Sequence, residues 1–383
     1  MQDPIKEKRI FFPNLDGLRF VAFLMVFLWH ALKTPFELLH IENRWLQNLF
    51  YLFVNGNKGV SIFFVLSGFL ITYLILAEIQ VNGRLNIAKF FIRRGLRIWP
   101  LYFLVVLFVF GLVPILMSFA GLSWNQFDMN PWYYFLFLGN FDVLHIYQMN
   151  GTDLLPSTVT WSVAIEEQFY LVWPLLFAGI PSKFYKFIFP FLLIAAYTFR
   201  CLNAESLPIL KFHTLSVCGD LALGGWIAYL SFTNKNFVDF FHNQSNALRL
   251  TLYCTGIMLL YLVQFSENDL LNAFMRLIQT IFFSYIILDQ NFSGQNTFKF
   301  SNNRFLTFWG RYTYGLYLLH PLVLLTITLL VTKCFNYSLQ HINTHLTIAI
   351  LGFGCSMLVS YYSYIFIERH FLNLKKKIGY TKT

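Results

Sequence analysis

Charged residues are scarce in this chain of 383 residues. Asp, Glu, Lys and Arg together make up 12% of it, about half the share in an average soluble domain. Apolar residue types account for 57%, and a soluble domain of this length could not keep so much apolar surface out of water. The composition therefore excludes a soluble enzyme and a disordered chain, and it indicates a polytopic membrane protein.

Cysteine is also rare. The five cysteines form no CxxC pair and lie in or beside apolar runs, which is typical of small buried hydrophobes. They indicate no disulfide framework, and we expect neither a metal site nor a bound cofactor. A cleavable signal peptide is not evident either, because the first apolar run contains Arg19 and no small-residue cleavage site follows it.

The net charge of +10 does not indicate a nucleic-acid partner, because the basic residues form no single patch or stripe. They stand at the ends of apolar runs, where such residues set the orientation of membrane proteins. None of them lies between residues 120 and 160. We therefore expect the lipid bilayer as a partner and no nucleic acid.

Apolar runs of about 20 residues are long enough to cross a bilayer as helices. Another run, 131–141, is too short to cross and is expected to be re-entrant or interfacial. We expect a single domain over 1–383, with a transmembrane bundle over about 10–370 and a basic cytoplasmic tail over 371–383. The ten predicted spans, which make this an all-α protein, are 15–38, 58–79, 98–119, 161–179, 185–202, 213–232, 248–265, 270–289, 308–332 and 345–367.

The lysines and arginines support this count. With the N-terminus in the cytoplasm, the inner segments hold 20 of them and the outer segments seven, while Arg19 lies inside the first span. This is the positive-inside pattern, and it predicts that both termini are cytoplasmic.

Several polar side chains fall inside the predicted spans, where each is a candidate functional group. His30, Ser67, Glu166 and His320 lie on four different spans. At a rise of about 1.5 Å per residue they fall at similar depths. An imidazole and a carboxylate at one depth indicate an acid–base site.

A basic cluster occupies a different depth. Arg93, Arg94 and Arg97 open the third span from the cytoplasmic side, and Arg19 lies near the cytoplasmic end of the first. Guanidinium groups bind phosphates well. The layout suits a long phosphorylated donor whose reactive end is threaded into the membrane.

Each of these groups also has a simpler interpretation. The three clustered arginines are compatible with ordinary positive-inside anchors. His320 precedes Pro321, so it could merely satisfy the backbone carbonyl that the proline leaves free. Ser67 and Gly68 are typical of close helix packing.

Five different sequence motifs, each present once, lie along the chain. They are Arg19 followed by His30, and the segments Phe63–Phe69, Arg93–Tyr102, Trp161–Tyr170 and Tyr314–Pro321. They resemble, in the same order, the motifs of the membrane-bound acyltransferases called acyltransferase 3, and the resemblance extends over nearly the whole chain. One departure is His370, which stands where the family usually has proline after Glu-Arg.

The resemblance implies transfer of an acyl group, most often acetyl, from cytoplasmic acyl-CoA to a hydroxyl of a sugar, glycan or glycolipid acceptor. It implies a multi-pass protein of the inner (cytoplasmic) membrane, of the stand-alone type without a soluble esterase-like domain. His30 corresponds to the essential histidine, with Arg19 as its partner, and Glu166 to the family glutamate. Arg93, Arg94 and Arg97 correspond to the donor-binding residues.

On this basis we expect His30 to act as general base towards the acceptor hydroxyl and Glu166 to orient its ring or stabilise the imidazolium. A covalent acyl-His or acyl-Ser intermediate remains open. The residues expected to line or support the pocket are Asp16, Ser67, Tyr102, Trp161, Tyr170 and His320.

Two other classes of protein remain as alternatives. A transporter or flippase would also line a path with polar groups, although the paired broken helices of two related halves are not visible in this sequence. A scaffold or sensor would not explain basic and acid–base groups at separate depths.

Overall fold

The computed structural model describes residues 12–119, 129–150, 159–262, 268–294, 298–335 and 337–378, and this part of the chain contains helices and no strand. The helices of the first half are α1 (Pro13–Leu38), α2 (Arg44–Phe53), α3 (Gly56–Asn82), α4 (Ile87–Leu107), α5 (Val113–Phe119), α6 (Pro131–Phe135), α7 (Gly139–Asn150), α8 (Thr160–Gly179) and α9 (Tyr185–Leu202). Those of the second half are α10 (Leu207–Phe212), α11 (Thr214–Thr233), α12 (Lys235–His242), α13 (Asn246–Leu262), α14 (Asp269–Phe292), α15 (Arg304–Gly310), α16 (Thr313–Leu329), α17 (Ile342–Ser363) and α18 (Arg369–Lys377).

Three π-helical turns lengthen these helices. Phe108–Leu112 joins α4 to α5, Leu330–Cys334 extends α16, and Tyr364–Glu368 joins α17 to α18. Eight helical segments of the described chain are long and apolar enough to cross a membrane, which confirms an all-α polytopic membrane protein. They are Pro13–Leu38, Arg44–Asn82, Ile87–Phe119, Ser182–Leu202, Leu207–Thr233, Asp269–Phe292, Thr313–Cys334 and Ile342–Lys375.

The predicted span 161–179 forms α8, which is not among these eight but runs beside α3. Ser67 of α3 bonds to Glu166 of α8 at 2.6 Å, and Trp173 of α8 donates to Thr72 of α3 at 2.9 Å. Residue numbers increase together along both helices, so the two run parallel through the bundle.

The predicted span 248–265 forms α13 as far as Leu262, and residues 263–265 lie outside the described part of the chain. Near its start, Arg249 pairs with Asp289 at the end of α14, at 2.7 Å. Near its end, the Tyr261 hydroxyl donates to the backbone carbonyl of Trp45 in α2, at 3.3 Å. The helix therefore runs from one end of the bundle to the other, although its 17 residues are few for a span.

The helices depart from several of the predicted boundaries; the third predicted span, 98–119, for instance lies in a helical segment that begins at Ile87. The span predicted to begin at 308 begins at Thr313, because α15 ends at Gly310 and a short turn follows. A Cβ on Gly310 would lie only 2.0 Å from the carbonyl oxygen of Asp16, so glycine permits this close contact with α1. The predicted tail is helical over its first part, as α18, while residues 379–383 lie outside the described residues.

Helices α3 and α11 pack closely at the centre of the bundle. A Cβ added to Gly68 of α3 would lie 2.0 Å from the carbonyl oxygen of Leu221 in α11. A Cβ added to Gly224 of α11 would lie 2.1 Å from the carbonyl oxygen of Val65 in α3. Glycine on both helices therefore lets the two backbones touch, as small residues do between membrane helices. This contact fixes α3, and with it Ser67.

Replacing Gly224 by alanine should force α3 and α11 apart. We expect Gly224→Ala to destabilise the folded protein by about 1–3 kcal/mol or more, the usual effect of overpacking, seen as a lower thermal unfolding midpoint in detergent. Gly354→Ala is the control, since open space surrounds that glycine. Equal midpoints for the two variants would contradict the packing described above.

Candidate active site

Two histidines from opposite ends of the sequence meet between α1 and α16. His30 Nδ1 lies 3.1 Å from His320 Nε2. His320 is completely buried, whereas His30 is exposed. The other ring nitrogen of His320, Nδ1, lies 3.1 Å from the Leu316 carbonyl oxygen and 2.8 Å from that of Tyr317. His320 thus satisfies a backbone carbonyl beside Pro321 and also contacts His30.

A carboxylate and two hydroxyl groups form a second cluster, between α3 and α8. Ser67 donates to Glu166 Oε1 at 2.6 Å, and Tyr170 donates to Glu166 Oε2 at 3.0 Å. Ser67 and Glu166 are half-buried, and Tyr170 is buried. Both carboxylate oxygens of Glu166 therefore accept hydrogen bonds from hydroxyl groups, while His30 Nδ1 contacts His320.

Tyr317 connects the two clusters. It lies one turn before His320 on α16, and its hydroxyl is 2.6 Å from Ser162 Oγ, one turn before Glu166 on α8. The Phe63 ring of α3 packs against the Tyr317 ring with centroids 5.5 Å apart. The histidine pair and the Glu166 cluster are thus neighbours within one polar region.

Two of the predicted donor-binding arginines lie beside this region. The Arg94 guanidinium lies 5.5 Å from the centroid of the Tyr170 ring, and Glu166 is within electrostatic reach of both Arg94 and Arg97. Both side chains are half-buried. Within the described part of the chain, neither arginine forms an ion pair with a carboxylate.

Arg19 lies near the same cluster, and its charge is compensated. Its Nη1 atom is 2.7 Å from Asp16 Oδ1, one turn earlier on α1. Arg97 is within electrostatic reach of both Arg19 and Asp16. Arg19, Arg94 and Arg97 thus lie near one another, and besides Asp16 the carboxylates of Glu166 and Glu368 lie within electrostatic reach of Arg97.

Arg93 has a different environment from Arg94 and Arg97. It is buried and pairs with Glu78 at the end of α3, with Arg93 Nη2 2.5 Å from Glu78 Oε2. The other oxygen, Glu78 Oε1, accepts from the backbone N–H of Asn86 at 3.1 Å. Arg93 therefore joins α4 to α3 and the loop between them. Glu78 was missed in the sequence, although a carboxylate inside an apolar run signals a buried partner.

Two of the predicted pocket residues lie in the packed interior. Tyr102 is completely buried, and its hydroxyl donates to the Tyr134 carbonyl oxygen at 2.9 Å. The Trp161 ring packs edge-on against the rings of Phe64 and Phe212. Both residues therefore help to hold α8 and α4 in place around the site.

Comparison with known proteins assigns the chain to a family. A family model described as an acyltransferase domain matches residues 12–365. The chain belongs to the acyltransferase 3 family. The match extends from α1 into the π-helical turn that ends α17, so it includes the whole polar region described above.

Relatives of this acyltransferase 3 protein include O-acetyltransferases. The peptidoglycan O-acetyltransferase OatA of Listeria monocytogenes is 33% identical over 183 residues, 45% of this chain and 25% of that protein. The O-acetyltransferase OatA of Staphylococcus aureus is 30% identical over 181 residues, 45% of this chain and 26% of that protein. The aligned part is about a quarter of the length of these relatives. No solved structure matches the chain.

The pairing of Arg93 with Glu78 predicts that Arg93 stabilises the fold, unlike Arg94 and Arg97. Removing the carboxylate in Glu78→Ala takes the ion-pair partner at 2.5 Å away from a buried guanidinium, which should destabilise the fold by about 3–5 kcal/mol. The expected result is a lower unfolding midpoint and less folded protein in detergent. Glu205→Ala removes an exposed glutamate and serves as the control. Equal unfolding midpoints for Glu78→Ala and Glu205→Ala would contradict a structural role for the pair.

Proposed function

We propose that this protein is an O-acyltransferase that moves an acetyl group from acetyl-CoA to a hydroxyl group of a glycan or glycolipid. Membership of the acyltransferase 3 family and similarity to O-acetyltransferases support the reaction class. The observation that carries the proposal is the pair of half-buried arginines, Arg94 and Arg97, which lack an ion-pair partner in the described chain and lie beside a histidine–carboxylate region.

The arginines would bind the phosphates of the donor. Bidentate guanidinium groups suit phosphate oxygens, and a buried cation that has no ion-pair partner is stabilised when an anion binds beside it. Arg94 and Arg97 would make the main contacts, with Arg19 adding charge. Arg93 would contribute indirectly, by holding the start of α4.

The donor's pantetheine arm would then follow α1 towards His30. Arg19 and His30 are eleven residues apart on α1, which is about 16 Å along the helix axis and almost a whole number of turns. The phosphate end and the imidazole therefore share one face of α1. This geometry would place a thioester near His30 while the nucleotide stays near Arg94 and Arg97.

His30 would act as the general base. Its imidazole would take the proton of the acceptor hydroxyl as the hydroxyl oxygen attacks the thioester carbonyl carbon. Collapse of the tetrahedral intermediate would break the carbon–sulfur bond and release CoA, whose thiolate takes up the proton from the imidazolium. Glu166, held by Ser67 and Tyr170, would stabilise the transient positive charge through space.

Family membership and the apolar helices support the proposed surroundings of the reaction. A multi-pass bundle of this kind would work in the cytoplasmic membrane, with the lipid bilayer as its solvent and acyl-CoA reaching it from the cytoplasm. The acceptor would be a sugar or glycan of the cell envelope. CoA enters here as a substrate, and none of the proposed steps uses a metal.

The first test is release of CoA from acetyl-CoA by the purified protein in nanodiscs, with a glycan extract as acceptor. Wild type should release CoA, and His30→Ala should lower the rate on the order of 10²–10⁴-fold, the usual contribution of a general base. His370→Ala, which removes an exposed histidine, should keep the wild-type rate.

Two outcomes would contradict the proposal. An active His30→Ala variant would remove the proposed base. Movement of acceptor across the membrane without consumption of acetyl-CoA would instead favour a transporter.

Donor binding gives a separate prediction for the arginines. Arg94→Gln and Arg97→Gln should each raise KM for acetyl-CoA about 10–100-fold, since a charge-assisted hydrogen bond contributes roughly 1.5–3 kcal/mol. The control is Arg84→Gln, because Arg84 is exposed in the loop before α4. Unchanged KM values in both site variants, measured by the same CoA-release assay, would show that the donor phosphates bind elsewhere.

A further inference from the structure

The contacts of His320 determine which of its ring nitrogens carries a proton. Nδ1 lies 3.1 Å and 2.8 Å from the carbonyl oxygens of Leu316 and Tyr317, and a carbonyl oxygen can only accept a hydrogen bond. The Tyr317 carbonyl needs such a donor, because the residue four positions later is Pro321, which has no backbone N–H. His320 Nδ1 is therefore protonated.

The second ring nitrogen of His320 must then be an acceptor. His320 is completely buried, and the rings of Phe23 and Phe27 pack against it with centroids 5.6 Å and 6.1 Å away. A charged imidazolium would be desolvated among these rings, so the neutral form is favoured. In neutral imidazole with Nδ1 protonated, Nε2 carries only a lone pair.

This lone pair faces His30. The distance from His320 Nε2 to His30 Nδ1 is 3.1 Å, so His30 Nδ1 must supply the proton of this hydrogen bond. In neutral His30, Nε2 is then the unprotonated nitrogen, and the residue as a whole is exposed. Pro321 thus determines which nitrogen of His320 is protonated, and His320 in turn determines which nitrogen of His30 is protonated.

We propose that His320 is a positioning residue that holds His30 in the Nδ1-protonated tautomer, so that His30 Nε2 is unprotonated and can take the acceptor's proton. The inference rests on the function proposed above. In Ser-His-Asp catalytic triads a carboxylate fixes the tautomer of the catalytic histidine. In this protein a second, neutral imidazole would do so, and the backbone carbonyl that proline leaves free would set the tautomer of that imidazole. A neutral partner avoids a further buried charge in the membrane.

Two substitutions of similar size separate this role from simple packing. Glutamine at 320 keeps an acceptor for His30 Nδ1 and a donor for the Tyr317 carbonyl, whereas leucine keeps only the volume. We expect His320→Leu to lower kcat on the order of 10²–10³-fold, close to the loss of a general base, with KM for acetyl-CoA unchanged. We expect His320→Gln to retain kcat to within about tenfold.

The experiment measures acetyl-CoA turnover by the full chain in nanodiscs, with folding of each variant checked by thermal unfolding. If His320→Leu does not fold, His320→Phe replaces it, because phenylalanine keeps a planar ring without an acceptor. Wild-type kcat in a folded Leu or Phe variant would overturn the proposal. An equal large loss in His320→Gln and His320→Leu would also overturn it, since the acceptor would then not be what matters.

Failure of this inference can be distinguished from failure of the proposed function. If wild type does not turn over acetyl-CoA at all, the proposed transfer from acetyl-CoA is wrong. If wild type is active, His30→Ala is inactive and His320→Leu keeps its kcat, acyl transfer stands and only the positioning role of His320 is lost.

Discussion

A charged side chain between membrane helices is stable only when another group compensates its charge, and the rest of this structure depends on that constraint. Arg93 pairs with Glu78, Arg249 with Asp289, and Arg276 of α14 with Asp220 of α11. The first two pairs join helices that follow one another in the chain, α3 with α4 and α13 with α14, and the third joins α14 to the more distant α11. Each pair thus fixes a contact between two helices. Against this background, an arginine that is half-buried and unpaired is informative.

Arg94 and Arg97 are such arginines in the described chain. Their position separates binding of the donor phosphates from the acyl-transfer step. The guanidinium groups lie near the start of α4, beside the Glu166 cluster, and there they would contact the phosphates of the donor. The imidazoles lie further along the bundle, where hydroxyl and thioester groups would meet. The one face of α1 that carries Arg19 and His30 connects the two regions. The fold therefore keeps a strongly charged substrate group away from the reacting centre.

Much of this arrangement could be predicted from the sequence, because hydropathy and charge act locally. The apolar runs predicted the crossing helices, and local motifs predicted the family. Pairing across helices could not be predicted in the same way. The partner of Arg93 is 15 residues away, and the partner of His30 is 290 residues away, and one sequence does not show which helix faces meet.

The central claim is that one acyl-CoA molecule extends from the arginines to His30. The most direct measurement is an electron cryo-microscopy structure of the protein with a non-hydrolysable acetyl-CoA analogue. The account predicts phosphates in contact with Arg94 and Arg97, and the acetyl carbonyl within reach of the position that an acceptor hydroxyl would take beside His30 Nε2. An analogue bound with its phosphates away from both arginines, or with its acetyl group far from His30, would contradict it.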